Sequence, residues 1–134
     1  MDKYQKFYEQ LPELEAPTPY TRTSRLLFDP ADDPDLPFGA ALYRLKPGQR
    51  GPAHSHENEI EIYVILGGRG TITFGGKSRE LSSESLVWVP PRAVHETVST
   101  GPGDLMILGI FIPPIDFSEI KKSWKRLTEA THKK

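Results

Sequence analysis

The sequence predicts an all-β fold, a sandwich, jelly roll or barrel, with a short helix at each end. Three observations carry that expectation. Short apolar and β-branched runs such as Ile60 to Leu66 and Leu105 to Ile112 recur along the chain, with the length and composition of strands. Turn formers separate them: 13 prolines and 11 glycines among 134 residues punctuate the chain as tight turns between short strands require. Helical periodicity is confined to the two ends. The length suits one domain.

Tyr4, Phe7, Tyr8 and Leu11 fall at i, i+3, i+4 and i+7 and predict a helix within residues 2 to 14, ended by Pro12 or Pro17. Tyr20 to Phe28 alternates and reads as a first strand. Asp29 to Pro37 is an acidic, proline-rich connector; its aspartates lack the ligand alternation and central glycine of an EF-hand loop, so it reads as a solvated loop. Phe38 to Lys46, Ala53 to His56 and Ile60 to Leu66 read as strands, with Pro47-Gly48 as a turn and Glu57-Asn58-Glu59 as a polar break. Gly67-Gly68-Arg69-Gly70 has no helix or Lys-Ser/Thr after it, which makes it a turn rather than a phosphate cradle. Thr71 to Phe74 and Lys77 to Leu81 form a hairpin around Gly75-Gly76. Leu86 to Val89 stops at Pro90-Pro91, and His95 to Thr100 and Leu105 to Ile112 complete the strands. Past Pro113-Pro114, Asp116 or Ser118 caps a final helix with Ile120, Trp124 and Leu127 on one face. The division is an N-terminal extension over 1–37, a barrel core over 38–112 and a C-terminal helix within 113–134.

Hydrophobic residues make up 37% of the chain and charged residues 26%, enough to build a core. There are no cysteines, which excludes disulfides, zinc fingers, thiol nucleophiles and thiolate-held clusters. The formal charge is −1, from 17 basic and 18 acidic residues, so no basic excess points to nucleic acid. Met1 to Lys6 has no apolar signal region, and no run approaches the ~20 residues of a membrane span. The expectation is a cytoplasmic protein with neither nucleic-acid nor membrane partners.

Three of the four histidines form a spaced set with a glutamate. Residues two apart in a strand share a face, so His54 and His56 make a chelating pair. Glu61 follows His56 at an odd offset, which a continuous strand would send to the opposite face. The polar Glu57-Asn58-Glu59 segment lets the chain turn, so Glu61 returns to the same interior on the next strand. Glu59 shares that parity and is the rival carboxylate. His95 opens a strand behind the stiff Pro90-Pro91 approach; His132 lies in the charged tail. His54, His56, Glu61 and His95 are therefore expected to bind one divalent transition metal, Fe2+, Mn2+, Ni2+ or Zn2+, with cobalt and copper also admissible to such ligands.

At these residues the sequence resembles the cupin superfamily. Its first motif is a glycine, five residues, His-x-His, a short gap, a glutamate, six residues and a glycine, and Gly48, His54, His56, Glu61 and Gly68 occupy those places. Pro90 and His95 match the second motif, whose leading glycine is Glu84 here, whose glycine after the proline is Arg92 and whose closing asparagine is Ser99. The resemblance covers about Phe38 to Ile112. It implies a cupin-type jelly-roll β-barrel with the metal near one mouth, and a homodimer. It allows a metalloenzyme acting on a small oxygen-rich or anionic substrate, with a dioxygenase foremost and a non-redox isomerase or decarboxylase as alternatives. The other reading is a non-catalytic, metal-dependent small-ligand-binding protein. Glu59, Tyr43, Tyr63 and Arg44 are candidates to surround the metal or substrate, with core packing or surface exposure the commoner role for each.

Overall fold

The computed structural model describes residues 2–128. Among the described residues ten strands form two sheets: β1 (Glu13–Glu15), β2 (Thr23–Phe28), β3 (Gly39–Leu45), β4 (Ile60–Gly67), β5 (Arg69–Phe74), β6 (Lys77–Ser82), β7 (Leu86–Val89), β8 (Glu96–Ser99), β9 (Leu105–Ile112) and β10 (Lys125–Thr128), with one α-helix, α1 (Ser118–Ser123). The larger sheet runs β10-β1-β2-β3-β9-β4-β7 and the smaller β6-β5-β8. The two face each other as a jelly-roll barrel.

Alternation along the strands builds the interior. On β4, Glu61, Tyr63 and Ile65 are buried, and on β9 so are Leu105, Ile107, Gly109 and Phe111, as period-two geometry requires. Leu45, Tyr63, Ile65, Ile72, Leu81, Val89, Leu105 and Ile107 form the main core, contributed by both sheets. A second cluster, Ala41, Phe111 and Phe117 with Leu26, Ile115 and Ile120 against it, seats α1 on the larger sheet. Gly68 closes the turn between β4 and β5 at φ +82°, where a Cβ would meet the Asp104 carbonyl oxygen at 2.2 Å. No side chain fits that approach.

The ends differ from the sequence expectation. The N-terminal stripe forms a single 3-10 turn at Tyr8–Gln10, not a helix over 2 to 14, and Tyr4, Phe7 and Tyr8 remain exposed. A segment so short, cut off by Pro12, has too few turns to hold a helix without a surface that buries its apolar side. The chain after it becomes β1 instead. The C-terminal helix is likewise only α1, after which β10 pairs with β1. The N-cap is Phe117, with no side-chain cap; Asp116, one residue earlier, accepts from the Ser118 N–H through Oδ1 at 2.8 Å, so neither expected residue occupies the cap. Ile120 and Trp124 face inward together, but Leu127 lies on β10. The edge of β1 offers unpaired backbone groups, and pairing with it wins over a further helical turn. His132 lies outside the described residues.

The expected strand at Ala53 to His56 is reduced to one isolated bridge, His54 to His95, with another just before it from Arg50 to Val98. Pro52 has no N–H to continue a ladder. The acidic connector is not wholly solvated: Asp29 is buried, accepting from Lys121 Nζ at 2.6 Å and from the Ala31 N–H at 2.9 Å. No helix among the described residues is long and apolar enough to cross a membrane.

Candidate metal centre

The four predicted side chains converge although they come from three separate stretches. One ligand atom from each of His54, His56, Glu61 and His95 lies within 4.8 Å of the others. Backbone pairing explains the convergence. The His54 N–H donates to the His95 carbonyl at 3.1 Å and the His95 N–H to the His54 carbonyl at 2.9 Å. Directly opposed residues of this kind send their side chains to one face, and the two rings sit 4.3 Å apart. Glu61 reaches the same space from β4, paired with Val89 on one side and Phe111 on the other. Glu59, the rival carboxylate, meets the Asn58 N–H at 3.3 Å and is not in the cluster.

The turn of the second motif holds the first in place. The Arg92 N–H donates to the His56 carbonyl at 2.6 Å. Arg92 has φ +67° and Glu84 φ +74°, the left-handed region that favours glycine. These are the positions where the resembled motif carries glycine, so both turns keep that shape with other residues in it.

Two hydrogen bonds fix how the imidazoles present themselves. His54 Nδ1 lies 2.8 Å from the Pro52 carbonyl and His95 Nδ1 2.9 Å from the Ala93 carbonyl. Donation from Nδ1–H to a carbonyl leaves each Nε2 lone pair free, the arrangement common at metal-bound histidines. Nε2 of both His56 and His95 lies 3.3 Å from Glu61 Oε1. His95 Nε2 is buried and makes no well-aligned hydrogen bond. A buried polar atom left so is uncommon, and a metal ion is the partner its chemistry fits.

Electrostatics agree with mutual dependence. Burial pushes the Glu61 carboxyl up, but His56 and His95 outweigh it and hold the group below its ordinary range. Burial lowers His95, yet Glu61 and the Ala93 carbonyl bring it above its usual value. His54 is the exposed member of the four; the protein packed around part of its ring lowers it first, and its neighbouring imidazoles add to this against the Pro52 carbonyl and Glu61. Burial, then the Glu61 charge, raises both Tyr43 and Tyr63, so both hydroxyls stay protonated and can donate hydrogen bonds.

His54, His56 and Glu61 lie at the wall of a cavity of about 320 Å³ that Arg22, Tyr43, Tyr63 and Trp124 also line. Tyr43 and Tyr63 therefore stand where the sequence allowed. Arg44 does not: it points away from the cavity and pairs with Glu13. Arg22 escaped sequence reasoning, because no local pattern distinguishes an inward arginine just ahead of a strand. Gly109 escaped it too. A Cβ there would lie 2.9 Å from Glu61 Oε2 and 3.1 Å from Tyr43 Cε2, so its lack of a side chain leaves room for the carboxylate.

A two-sheet antiparallel barrel with three histidines and a glutamate converging at one cavity defines a class of small metal-site β-barrels. The chain belongs to the cupin family, matching its cupin domain over residues 41–111. It is 33% identical over 72 residues to the oxalate-binding protein of Thermotoga maritima, covering 54% of this chain and 60% of that one. It is 35% identical over 88 residues to a glucose-6-phosphate isomerase of Pyrococcus abyssi, covering 58% and 47% respectively. The chain thus spans about half the length of the curated relatives it matches. Its fold superposes on the crystal structure of a predicted oxalate decarboxylase from Thermotoga maritima with a TM-score of 0.72 at 24% identity, covering 80% of this chain and 96% of that one. For KdgF from Halomonas sp. the TM-score is 0.67 at 19% identity, with 78% and 89% covered. At such identities these structures speak to the fold alone.

Proposed function

We propose that this cupin binds one divalent transition metal through His54, His56, Glu61 and His95 and uses it to hold, and to transform, a small oxygen-rich anion. The observation that carries the reading is His95 Nε2, buried without an aligned hydrogen bond and aimed with two further imidazoles and a carboxylate at one point. Four ligands of this kind suit iron, manganese, nickel or zinc. A bound ion would act as a Lewis acid on substrate oxygen. The chain's own residues do the rest. The Tyr43 hydroxyl, kept protonated, donates to a substrate oxygen, the Tyr63 hydroxyl donates to Glu61 and steadies it, and the Phe111 ring packs against that of His56 with centroids 5.2 Å apart.

The names of the relatives support the non-redox branch, binding, isomerisation or decarboxylation of a small anion, over the dioxygenase that the sequence put foremost. Dimerisation is part of the proposal. Ile60, Ile62 and Val64 alternate with the buried residues of β4 and so face outward, where Ile62 pairs with Trp88 and Val64 with Leu86. Trp88 and Leu86 are exposed, and a second copy laid on this sheet face would cover them.

Metal analysis of protein purified without oxygen, followed by a screen of small carboxylates and sugar phosphates under argon and under air, tests the reading. Bound metal with oxygen-independent turnover or binding is expected. Oxygen uptake tied to turnover would return the dioxygenase to first place. The His54→Ala/His56→Ala double variant and Glu61→Gln should lose metal while Glu59→Gln keeps it. Full retention by the double variant sinks the ligand assignment.

A further inference from the structure

Arg22 brings a positive charge into the cavity without a carboxylate to meet it. It immediately precedes β2, and its carbonyl accepts from the Ala16 N–H at 2.9 Å, which fixes the backbone there. The side chain turns into the cavity that His54, His56 and Glu61 also line. One Nη1 hydrogen donates to the Tyr20 carbonyl at 3.1 Å. The guanidinium carbon stands 4.9 Å from the centre of the Trp124 ring. Arg25 and Arg44 of the neighbouring strands both reach Glu13, and Arg50 reaches Glu96. Among the described residues no carboxylate comes within ion-pair distance of Arg22.

Arg22 is half-buried, and an arginine partly withdrawn from water is ordinarily compensated by an anion. The desolvation is felt here: burial holds the Arg22 pKa below its usual value, though the group remains charged. A guanidinium has five donors in a planar fork, and Arg22 commits one of them to the protein. The fork matches the two oxygens of a carboxylate, and an aromatic face behind it restrains its plane. Most of the remaining wall, including Phe111, Ile115 and Ile120, is apolar, with Thr97 adding one hydroxyl, and about 320 Å³ is at the small end of ligand pockets.

We propose that Arg22, backed by Trp124, recognises a carboxylate of the substrate while another oxygen of the same molecule lies at the cluster of His54, His56, Glu61 and His95. The inference rests on the metal reading above and narrows it to a substrate class: a small carboxylate bearing a second oxygen donor a few bonds away. Arg22 is a specificity residue, and Trp124 positions it.

Calorimetric titration of malonate, its uncharged analogue malonamide and inorganic phosphate tests the assignment. Each is added to wild type, Arg22→Gln and Arg22→Lys, both loaded with Mn2+ and metal-free. Malonate should bind wild type more tightly than the other two probes. Arg22→Gln should weaken malonate by about tenfold or more in both metal states, with Arg22→Lys between. Its Mn2+ affinity should stay within about threefold, because Arg22 is not a ligand. In a Trp88→Phe background malonate should change the Trp124 emission of wild type and leave that of Arg22→Gln unmoved. Equal malonate affinity in wild type and Arg22→Gln overturns the proposal, as does a preference for phosphate. A purely structural role would weaken malonate and malonamide alike and lower the melting temperature, which also overturns it. If wild type takes up no Mn2+ but metal-free protein shows malonate binding dependent on Arg22, the metal reading fails and this one stands.

Discussion

Gly109→Ala should weaken metal binding without unfolding the barrel. Gly109 lies mid-strand on β9, opposite Ala41 on β3 and Tyr63 on β4. The added methyl would sit 2.9 Å from Glu61 Oε2 and 3.1 Å from Tyr43 Cε2. Ordinary van der Waals contact begins near 3.4 Å, so the carboxylate must retreat by about half an ångström, against metal-bond tolerances of about 0.2 Å. Displacements that misdirect a ligand reduce affinity about 10- to 100-fold, or roughly 1.4 to 2.7 kcal/mol. Overpacking destabilises by about 1–3 kcal/mol, offset by about 0.5–1 kcal/mol for replacing a strand glycine with alanine. A net loss near 1 kcal/mol corresponds to a fall of roughly 2–8 °C in melting temperature. Competition against a chromophoric chelator reads the affinity, and thermal unfolding of metal-free protein reads the stability. Gly103→Ala is the control, since nothing lies within 4 Å of its added Cβ. Wild-type metal affinity in Gly109→Ala would show that the Glu61 carboxylate needs no such room, and would refute its role as a constrained ligand.

Four other outcomes are expected. Metal affinity should weaken as pH falls from 8 to 6, since His95, held above its ordinary 6.5, must lose its proton to bind; below its folded pKa each pH unit weakens binding about tenfold, and a flat profile would count against His95. In metal-free protein the signs divide. The depressed Glu61 contributes stability present above 4.5 and lost as pH falls through its lower folded value; depressed His54 contributes stability present above 6.5 and lost as pH falls; and raised His95 contributes stability present below 6.5 and lost as pH rises through its higher folded value. Denaturation midpoints followed from pH 4 to 8 should therefore fall for Glu61→Gln mainly above 4.5 and for His95→Gln mainly below 6.5, the windows in which each group contributes, and approach wild type outside them. Glu84→Gly should raise stability by about 0.5–1 kcal/mol, because φ +74° strains a side-chain-bearing residue by about 1–2 kcal/mol and glycine returns part of that as unfolded-state entropy; no gain in thermal unfolding would mean that the turn is relaxed as it stands. Trp88→Glu, which puts a charge on the exposed sheet face, should convert a dimer to monomer in sedimentation without loss of metal, and an unchanged sedimentation coefficient would place any dimer contact elsewhere.

The sequence by itself determined the middle of this protein. A strand repeats every two residues, so His54, His56 and the odd step to Glu61 specified both a turn and a shared face. The prolines before His95 marked where the third element enters. The sheet order, the neighbours of each strand and the surroundings of the site were decided only by tertiary structure. Strands β1 and β10 are too short to carry a period; β1 forms against β2, and β10 forms because β1, far away in the chain, offers it a free edge. The helical stripes at Tyr4 to Leu11 and Ile120 to Leu127 were real patterns overruled by that pairing and by the lack of a surface to bury the first. Arg22, Trp124 and Gly109 take their meaning from what stands across the cavity, a guanidinium from the charge it lacks and a glycine from the carboxylate it admits. Local spacing can spell a ligand set, but a cavity is made of residues whose separation in sequence carries no signal.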